Sequence, residues 1–262
     1  MDLKMNGKTA LVSGSTKGIG LAIATKLAAE GARVIVNGRS ESSLSAALEK
    51  IRNAVPGAQP IGFAGDLASA AVADQLIKLY PSLDILVNNL GIYEPRPFEE
   101  ISDDEWRRFF EVNVLSAVRL ARAYLPAMRQ RNWGRIVFIS SESGVQIPAE
   151  MVHYGMTKTA LLAVSRGIAE TCAGTGITAN AVLPGPTRSE GVNEFVTKMG
   201  AGRPFEEFED EFFRTVRPTS LLKRFATTDE VASMVVYVCS PLASATTGAA
   251  LRADGGVVKS CF

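Results

Sequence analysis

The sequence predicts an α/β fold: a doubly wound, mostly parallel sheet of seven strands with helices on both faces, in a single domain over residues 1–262. Three observations carry this expectation. Short β-rich runs alternate with longer helix-patterned stretches along the chain, the pattern of repeated βα units. The strand runs are apolar nearly throughout rather than alternating, as in strands covered on both faces. Finally, 262 residues with 47% apolar and 21% charged side chains suit one large core and exclude disordered, collagenous and low-complexity classes.

The elements follow in order. Strands are expected at 9–13, 33–36, 84–87, 135–139 and 178–182, with a weaker one at 60–63 and another at 250–253, where β-branched and apolar residues cluster. Helical spacing fills 19–30, 42–53, 69–79, 103–128, 153–173 and 229–239. Gly31 can close the first helix, Ser102-Asp103-Asp104-Glu105 can open the fourth and Thr228-Asp229-Glu230 the last. Residues 184–218 break the rhythm. They hold Phe195, Met199, Phe205, Phe208, Phe212 and Phe213 beside an acidic run over 206–211, and so long a stretch without a strand pattern is read as a substrate lid.

The charge balance narrows the functions. Twenty-eight basic and 27 acidic side chains leave a net +1, which makes no general field for nucleic acid or an anionic membrane. No apolar run approaches the ~18 residues that span a bilayer, and the first residues, with Asp2 and a short apolar stretch at 10–12, do not read as a targeting signal. Cys172, Cys239 and Cys261 are few, odd in number and far apart, which argues against a disulfide framework or zinc site and suits a reducing compartment. A cytoplasmic protein without a metal site is expected, and any anion it binds must be caught locally.

The first strand runs into Ser13-Gly14-Ser15-Thr16-Lys17-Gly18-Ile19-Gly20 and then a helix. Glycines at these positions permit a tight turn and let a pyrophosphate approach the helix N-terminus, where unpaired N–H groups and the helix dipole favour negative charge. Alone, the triplet also fits an ordinary strand-to-helix turn; the strand before and helix after make it a dinucleotide candidate. After the second strand, Val36-Asn37-Gly38-Arg39 lacks the acid that would hold a ribose 2′-hydroxyl and offers Arg39 instead, with Lys17 in the glycine turn. Two charge-assisted contacts of about 1.5–3 kcal/mol each would favour a 2′-phosphate by ~100-fold or more, so NADP(H) is expected in preference to NAD(H). Asp66, followed by Leu67, is placed to accept from the adenine amino group, to cap the next helix, or both. Asn88-Asn89-Leu90-Gly91 after the fourth strand can brace strand ends and ribose, with Gly91 leaving room for the nucleotide.

Ser141 precedes Tyr154, and Lys158 follows the tyrosine by four residues on one helical face. A tyrosine ordinarily titrates near 10. Lowering it by about 3 units takes roughly 4 kcal/mol, which one cation at ~4 Å supplies at an effective dielectric of 20. Lys158 is the candidate cation, Tyr154 the proton carrier and Ser141 the group that binds substrate oxygen. His153 is read as structural or substrate-lining, because neighbours on a helix point ~100° apart. Cys172 is read as a packing residue.

These residues together resemble the short-chain dehydrogenase/reductase family in its single-domain form, with a Rossmann-type fold. The resemblance spans nearly the whole chain: the glycine turn at 14–20, Asp66, Asn88-Asn89-Leu90-Gly91, Asn113, Ser141, Tyr154-Gly-Met-Thr-Lys158, Pro184-Gly185 and the closing Ala253-Asp254-Gly255-Gly256. It implies that Asn113 completes a Ser–Tyr–Lys catalytic group by holding a water next to Lys158, and that Lys158 also binds the nicotinamide ribose. By the same likeness Thr187 meets the carboxamide through its backbone, Ser189 adds a hydroxyl nearby, Pro184-Gly185 shape that turn, and the chain forms a homotetramer. Leu90 replaces the alanine usual there and is expected to crowd the ribose side. Pro126 and Thr175 stand where carrier-protein reductases of the family hold docking arginines, and the acidic run at 206–211 would repel an acidic carrier. The expected activity is therefore NADP(H)-dependent hydride transfer to or from a small carbonyl/alcohol compound. The alternatives are 3-oxoacyl thioester reduction and a non-catalytic dinucleotide-binding regulator.

Overall fold

The computed structural model describes residues 2–190 and 204–261. Its strands are β1 (Thr9–Val12), β2 (Arg33–Gly38), β3 (Ile61–Ala64), β4 (Ile85–Asn88), β5 (Gly134–Ile139), β6 (Ile177–Pro184), β7 (Thr187–Arg188), β8 (Ala226–Thr227) and β9 (Ala250–Ala253). Seven of them form one sheet in the order β3-β2-β1-β4-β5-β6-β9, and every pairing in it is parallel. All the predicted strands are present within a residue or two of their expected bounds.

The helices are α1 (Gly18–Ala29), α2 (Glu41–Ala54), α3 (Ala70–Leu79), α4 (Asp103–Phe110), α5 (Ser116–Arg131), α6 (Val152–Thr171), α7 (Phe205–Thr215) and α8 (Thr228–Cys239). They cover both faces because successive strand residues point to opposite sides. Ala10 and Val12 of β1 join a core layer with Ile23, Leu27 and Val235. Leu11 between them joins the other layer, with Leu120, Tyr124 and Leu161. One sheet thus organises two cores in a single domain. Strand order reverses between β1 and β4, the switch point where open α/β sheets leave a crevice beyond the strand ends.

Three differences from the sequence expectations have physical causes. The helix expected at 103–128 is interrupted by a π-helical turn, Glu111–Leu115, before α5 continues to Arg131. Its N-terminal signal holds: Ser102 and Glu105 form a reciprocal capping box. The last helix is capped by Thr227 rather than Thr228, with Thr227 Oγ1 accepting from the Glu230 N–H at 3.1 Å and Glu230 accepting from the Thr227 N–H at 2.8 Å. In the 184–218 stretch, which reads as strandless, β7 pairs with β8 in a parallel ribbon and α7 packs its phenylalanines around Phe225. Phe195 and Met199 lie outside the described residues.

Candidate active site

The turns beyond β1, β4, β5 and β6 converge on a cavity of about 950 Å³. Its first wall is the glycine turn. Gly14 and Gly18 adopt φ of +60° and +58°, the left-handed region that glycine enters without steric cost. Gly18, Ile19 and Gly20 open α1 onto the cavity. The N-cap residue Lys17 is extended and caps no N–H with its side chain, and the first turn carries no acid, so the end of α1 is electrostatically suited to an anion.

Polar side chains lock this wall. Asn89 Nδ2 donates to the carbonyls of Ser13 and Gly14 at 3.0 and 2.9 Å, and a Cβ on Gly20 would lie 2.5 Å from that nitrogen. Ser15 is fully buried, with its hydroxyl donating to Val12 O and accepting from the Asn37 N–H. Asn37 is a residue whose role the sequence did not disclose. Its Oδ1 accepts from the Gly14 N–H, and its Nδ2 donates to Phe63 O and Gly65 O, so one amide ties together the ends of β1, β2 and β3. The Asn88 side-chain amide is buried without a hydrogen-bond partner among the described residues.

The remaining dinucleotide candidates lie further along the strand ends. The Thr16 methyl lies 2.2 Å from where a Cβ on Gly38 would sit, which brings Thr16 beside Arg39. Both Arg39 and Lys17 are exposed; Lys17 lines the cavity. Gly38 pairs with Ala64, so Arg39 and Asp66 follow neighbouring strands. Asp66 is not the cap of α3, which is Ser69. Its carboxylate accepts from the Ala68 N–H at 3.0 Å, holding the turn before that helix. The Leu67 side chain is buried in the core, leaving only its main chain for a ligand. Leu90 packs against the core layer containing Leu11 and Leu86, instead of crowding the cavity.

The second wall carries Ser141, Tyr154 and Lys158, all three lining the cavity. Lys158 Nζ lies 5.5 Å from the Tyr154 ring centroid and donates to Ile139 O at the end of β5 at 2.9 Å. Burial pulls the ammonium down to about 8. Gly91 makes room for it: a Cβ there would stand 3.3 Å from Lys158 Nζ and 3.4 Å from Asn113 Oδ1. Asn113 sits in the π turn, fully buried. Its Oδ1 accepts from the Ile92 N–H, and its Nδ2 donates to Ile92 O and Thr157 Oγ1. The asparagine therefore bolts the loop after β4 to α6.

The phenol differs from the sequence expectation. Burial, then the Glu142 carboxylate, raise the Tyr154 pKa, while the Ser141 hydroxyl and Arg217 act more weakly in the opposite sense. His153 is a packing residue, fully buried against Phe109 and Trp106 at ring separations of 4.0 and 6.0 Å, with burial pushing its imidazole below the ordinary value. Cys172 is likewise buried at the end of α6.

The third wall joins two sequence motifs. A Cβ on Gly185 would fall 2.4 Å from Asp254 O, and the Asp254 carboxylate accepts from the N–H groups of Gly256 and Val258. Pro184, Gly185, Thr187 and Ser189 all line this side. Thr187 Oγ1 donates to Gly185 O at 2.8 Å, and Ser189 faces Gly18 across the opening. Phe208, Glu211, Phe212 and Arg217 line the far side. The α7 rings surround Phe225, at centroid distances of 5.0 Å for Phe212 and 5.1 Å for Phe213.

Two charged residues escaped the sequence reading. Glu142 Oε2 accepts from the Ser141 hydroxyl at 2.5 Å and from the Ser143 N–H at 2.9 Å. Its Oε1 accepts from Arg217 Nε at 3.0 Å. Glu142 follows Ser141 directly, but its partner is 75 residues away, so no local pattern announces the pair.

A family model described as enoyl-(acyl carrier protein) reductase matches residues 14–258. An "uncharacterized oxidoreductase YvaG" of Bacillus subtilis is 47% identical, with 100% of each chain covered. A D-β-hydroxybutyrate dehydrogenase of Cupriavidus necator is 36% identical over 97% of this chain and 99% of its own. Among solved structures, L-sorbose reductase from Gluconobacter frateurii, complexed with NADPH and L-sorbose, superposes with a TM-score of 0.92 at 30% identity, covering 99% of this chain and 100% of that one. Sheet order, switch-point cavity and these likenesses agree: the chain belongs to the short-chain dehydrogenase/reductase family, the NAD(P)-dependent oxidoreductases of carbonyl and alcohol groups.

Proposed function

We propose that this protein is an NADP(H)-dependent oxidoreductase acting on a small-molecule carbonyl/alcohol pair, with Tyr154 as general acid/base. The observation that carries the reading is one cavity shared by the open N-terminus of α1 and by Tyr154 with its buried Lys158 neighbour. A nicotinamide dinucleotide bound there supplies or takes up the hydride. The chain's residues do the rest. First-turn N–H groups of α1 and the turn at 14–20 receive the pyrophosphate. Lys158 keeps N–H donors beyond the one spent on Ile139 O for ribose hydroxyls. Ser141 aligns the substrate oxygen, Tyr154 delivers or removes its proton, and Asn113 keeps the loop at Ile92 in register with α6. A raised phenol pKa leaves Tyr154 loaded with its proton at neutral pH, the state that carbonyl reduction uses.

The preference for NADP(H) over NAD(H) is supported by the chemistry at the end of β2. No acid stands in Val36-Asn37-Gly38-Arg39 to hold a ribose 2′-hydroxyl, the Asn37 amide is consumed by backbone groups, and the strand end offers Arg39, with Lys17 in the glycine turn. L-sorbose reductase is a neighbour solved with NADPH. Replacing Arg39 by Asp should shift the ratio of NADPH to NADH affinity by about 10–100-fold towards NADH; an unchanged ratio in paired fluorescence titrations removes Arg39 from the site.

Acyl-thioester reduction is the second reading, favoured by the description of the matching family model and opposed by Pro126 and Thr175 at the carrier-docking positions. We further read residues 184–218 as the substrate lid and the protein as a cytoplasmic homotetramer. For the reaction itself, Tyr154→Phe should keep NADPH binding and lose about 10²–10⁴-fold in turnover. Unchanged turnover across a panel of ketones and alcohols would sink the mechanism, and wild-type NADPH binding with no turnover of any of them would favour the regulatory alternative.

A further inference from the structure

The substrate end of the cavity carries a charge pattern that none of the family motifs contains. Among the described residues, its charged lining beyond Lys17 and Lys158 consists of Glu142, Glu150, Glu211 and Arg217. The Glu142–Arg217 pair is buried, with side chains only 6% and 11% exposed. Arg217 is already shared: Nε donates to Glu142 at 3.0 Å, while Nη1 donates to Val216 O at 3.0 Å and reaches Glu150 at 3.5 Å. Glu142 is fixed in turn by Arg217, the Ser143 N–H and the Ser141 hydroxyl. That last bond matters for recognition. In the free protein the Ser141 hydroxyl donates to Glu142 and accepts from the Ser143 N–H at 3.1 Å, so the carboxylate itself holds the serine beside Tyr154.

We infer that Glu142 and Arg217 set the substrate class: the pocket takes an uncharged carbonyl compound bearing a further hydroxyl and rejects keto acids. This rests on the hydride-transfer reading above and adds to it the charge of the substrate. A carboxylate entering here would share with two resident carboxylates a guanidinium that already answers them. A hydroxyl meets acceptors instead: Glu142 Oε1 and the carboxylate oxygens of Glu150, which Arg217 does not saturate. Arg217 lies just beyond α7, so the segment that lines the far side of the cavity also carries half of the selecting pair.

The test is steady-state reduction with NADPH by the full chain, using pairs matched in size: 4-hydroxybutan-2-one against acetoacetate, and hydroxyacetone against pyruvate. The neutral member should lead in kcat/KM by about tenfold or more, equivalent to ~1.4 kcal/mol. Glu142→Gln, which frees Arg217, should cut that ratio by about tenfold, chiefly through KM for the keto acid. Should that variant misfold, Glu150→Gln at a half-exposed position should shift the ratio the same way, by a few fold. If none of the four is turned over while a larger ketone is, their inhibition constants against that ketone should follow the same order. Keto acids used or bound as well as their neutral partners would overturn the inference and leave the reductase reading intact. No oxidation of NADPH by any carbonyl tried would overturn both.

Discussion

Lys158 is the residue whose surroundings change its chemistry most usefully. A lysine ordinarily titrates near 10.4; burial against the end of β5 brings this one to about 8, because the charged form loses hydration. The folding consequence has a definite sign. Between pH about 8 and 10.4 the unfolded chain holds a proton that the folded chain has released, so this group's contribution to stability rises with pH, and its burial cost is felt in full below about 8. Activity runs the other way, since a neutral amine neither supports the tyrosinate nor strengthens hydrogen bonds to ribose. We expect kcat/KM for alcohol oxidation to fall on the alkaline side with an apparent pKa near 8. Lys158→Arg, whose guanidinium stays charged, should move that limb upward by at least about one unit even if turnover drops. A limb that stays near 8 in the arginine variant assigns the titration to another group.

At the scale of elements, α7 has two jobs that two of its phenylalanines divide. Phe213 is 2% exposed and packs edge-on against Phe225 at 5.1 Å. Phe208 stacks on Phe225 at 6.4 Å and also lines the cavity. Phe213→Ala should therefore cost about 3–5 kcal/mol of stability, read as a lower denaturation midpoint, with substrate ranking unchanged. Phe208→Ala should cost less and raise KM for bulky ketones relative to small ones. Identical selectivity in the two variants would reduce α7 to packing alone. The contrast also shows what the sequence could disclose. Apolar runs such as Arg33-Val-Ile-Val36 read as strands because both faces are buried, and Tyr154 with Lys158 reads as a pair because helical spacing is local. Glu142 with Arg217, Asn37 across three strand ends, and the π turn that presents Asn113 depend on groups meeting through the fold, so local spacing carried no trace of them. Thr187 was named by the family likeness and lines the cavity, whereas its pairing with Ala226 left no signal, because a two-residue strand has too little periodicity to register.

For the molecule as a whole, near-neutral charge and two core layers on one sheet leave its surface as the remaining question. No helix among the described residues is long and apolar enough to cross a membrane, yet large apolar side chains stand exposed beside the C-terminal turn. Leu221 is 82% and Leu222 47% exposed, and both backbone N–H groups are pinned to Gly255 O at 2.8 and 3.1 Å, so this pair is held outward on a rigid turn. A fixed exposed apolar pair costs solubility unless something covers it. The proposed homotetramer provides a cover of the right chemistry in a second copy of the same face, since a symmetric contact sets each patch against its own image. Light scattering should give a mass about four times the 27.9 kDa chain. In Leu221→Lys each contact loses about 1.5–3 kcal/mol of burial and sets two cations together, so the mass should fall to about half with helical content preserved. A Leu221→Lys protein that keeps the full mass at micromolar concentration would place the interface elsewhere, and a wild-type monomer would remove the assembly itself.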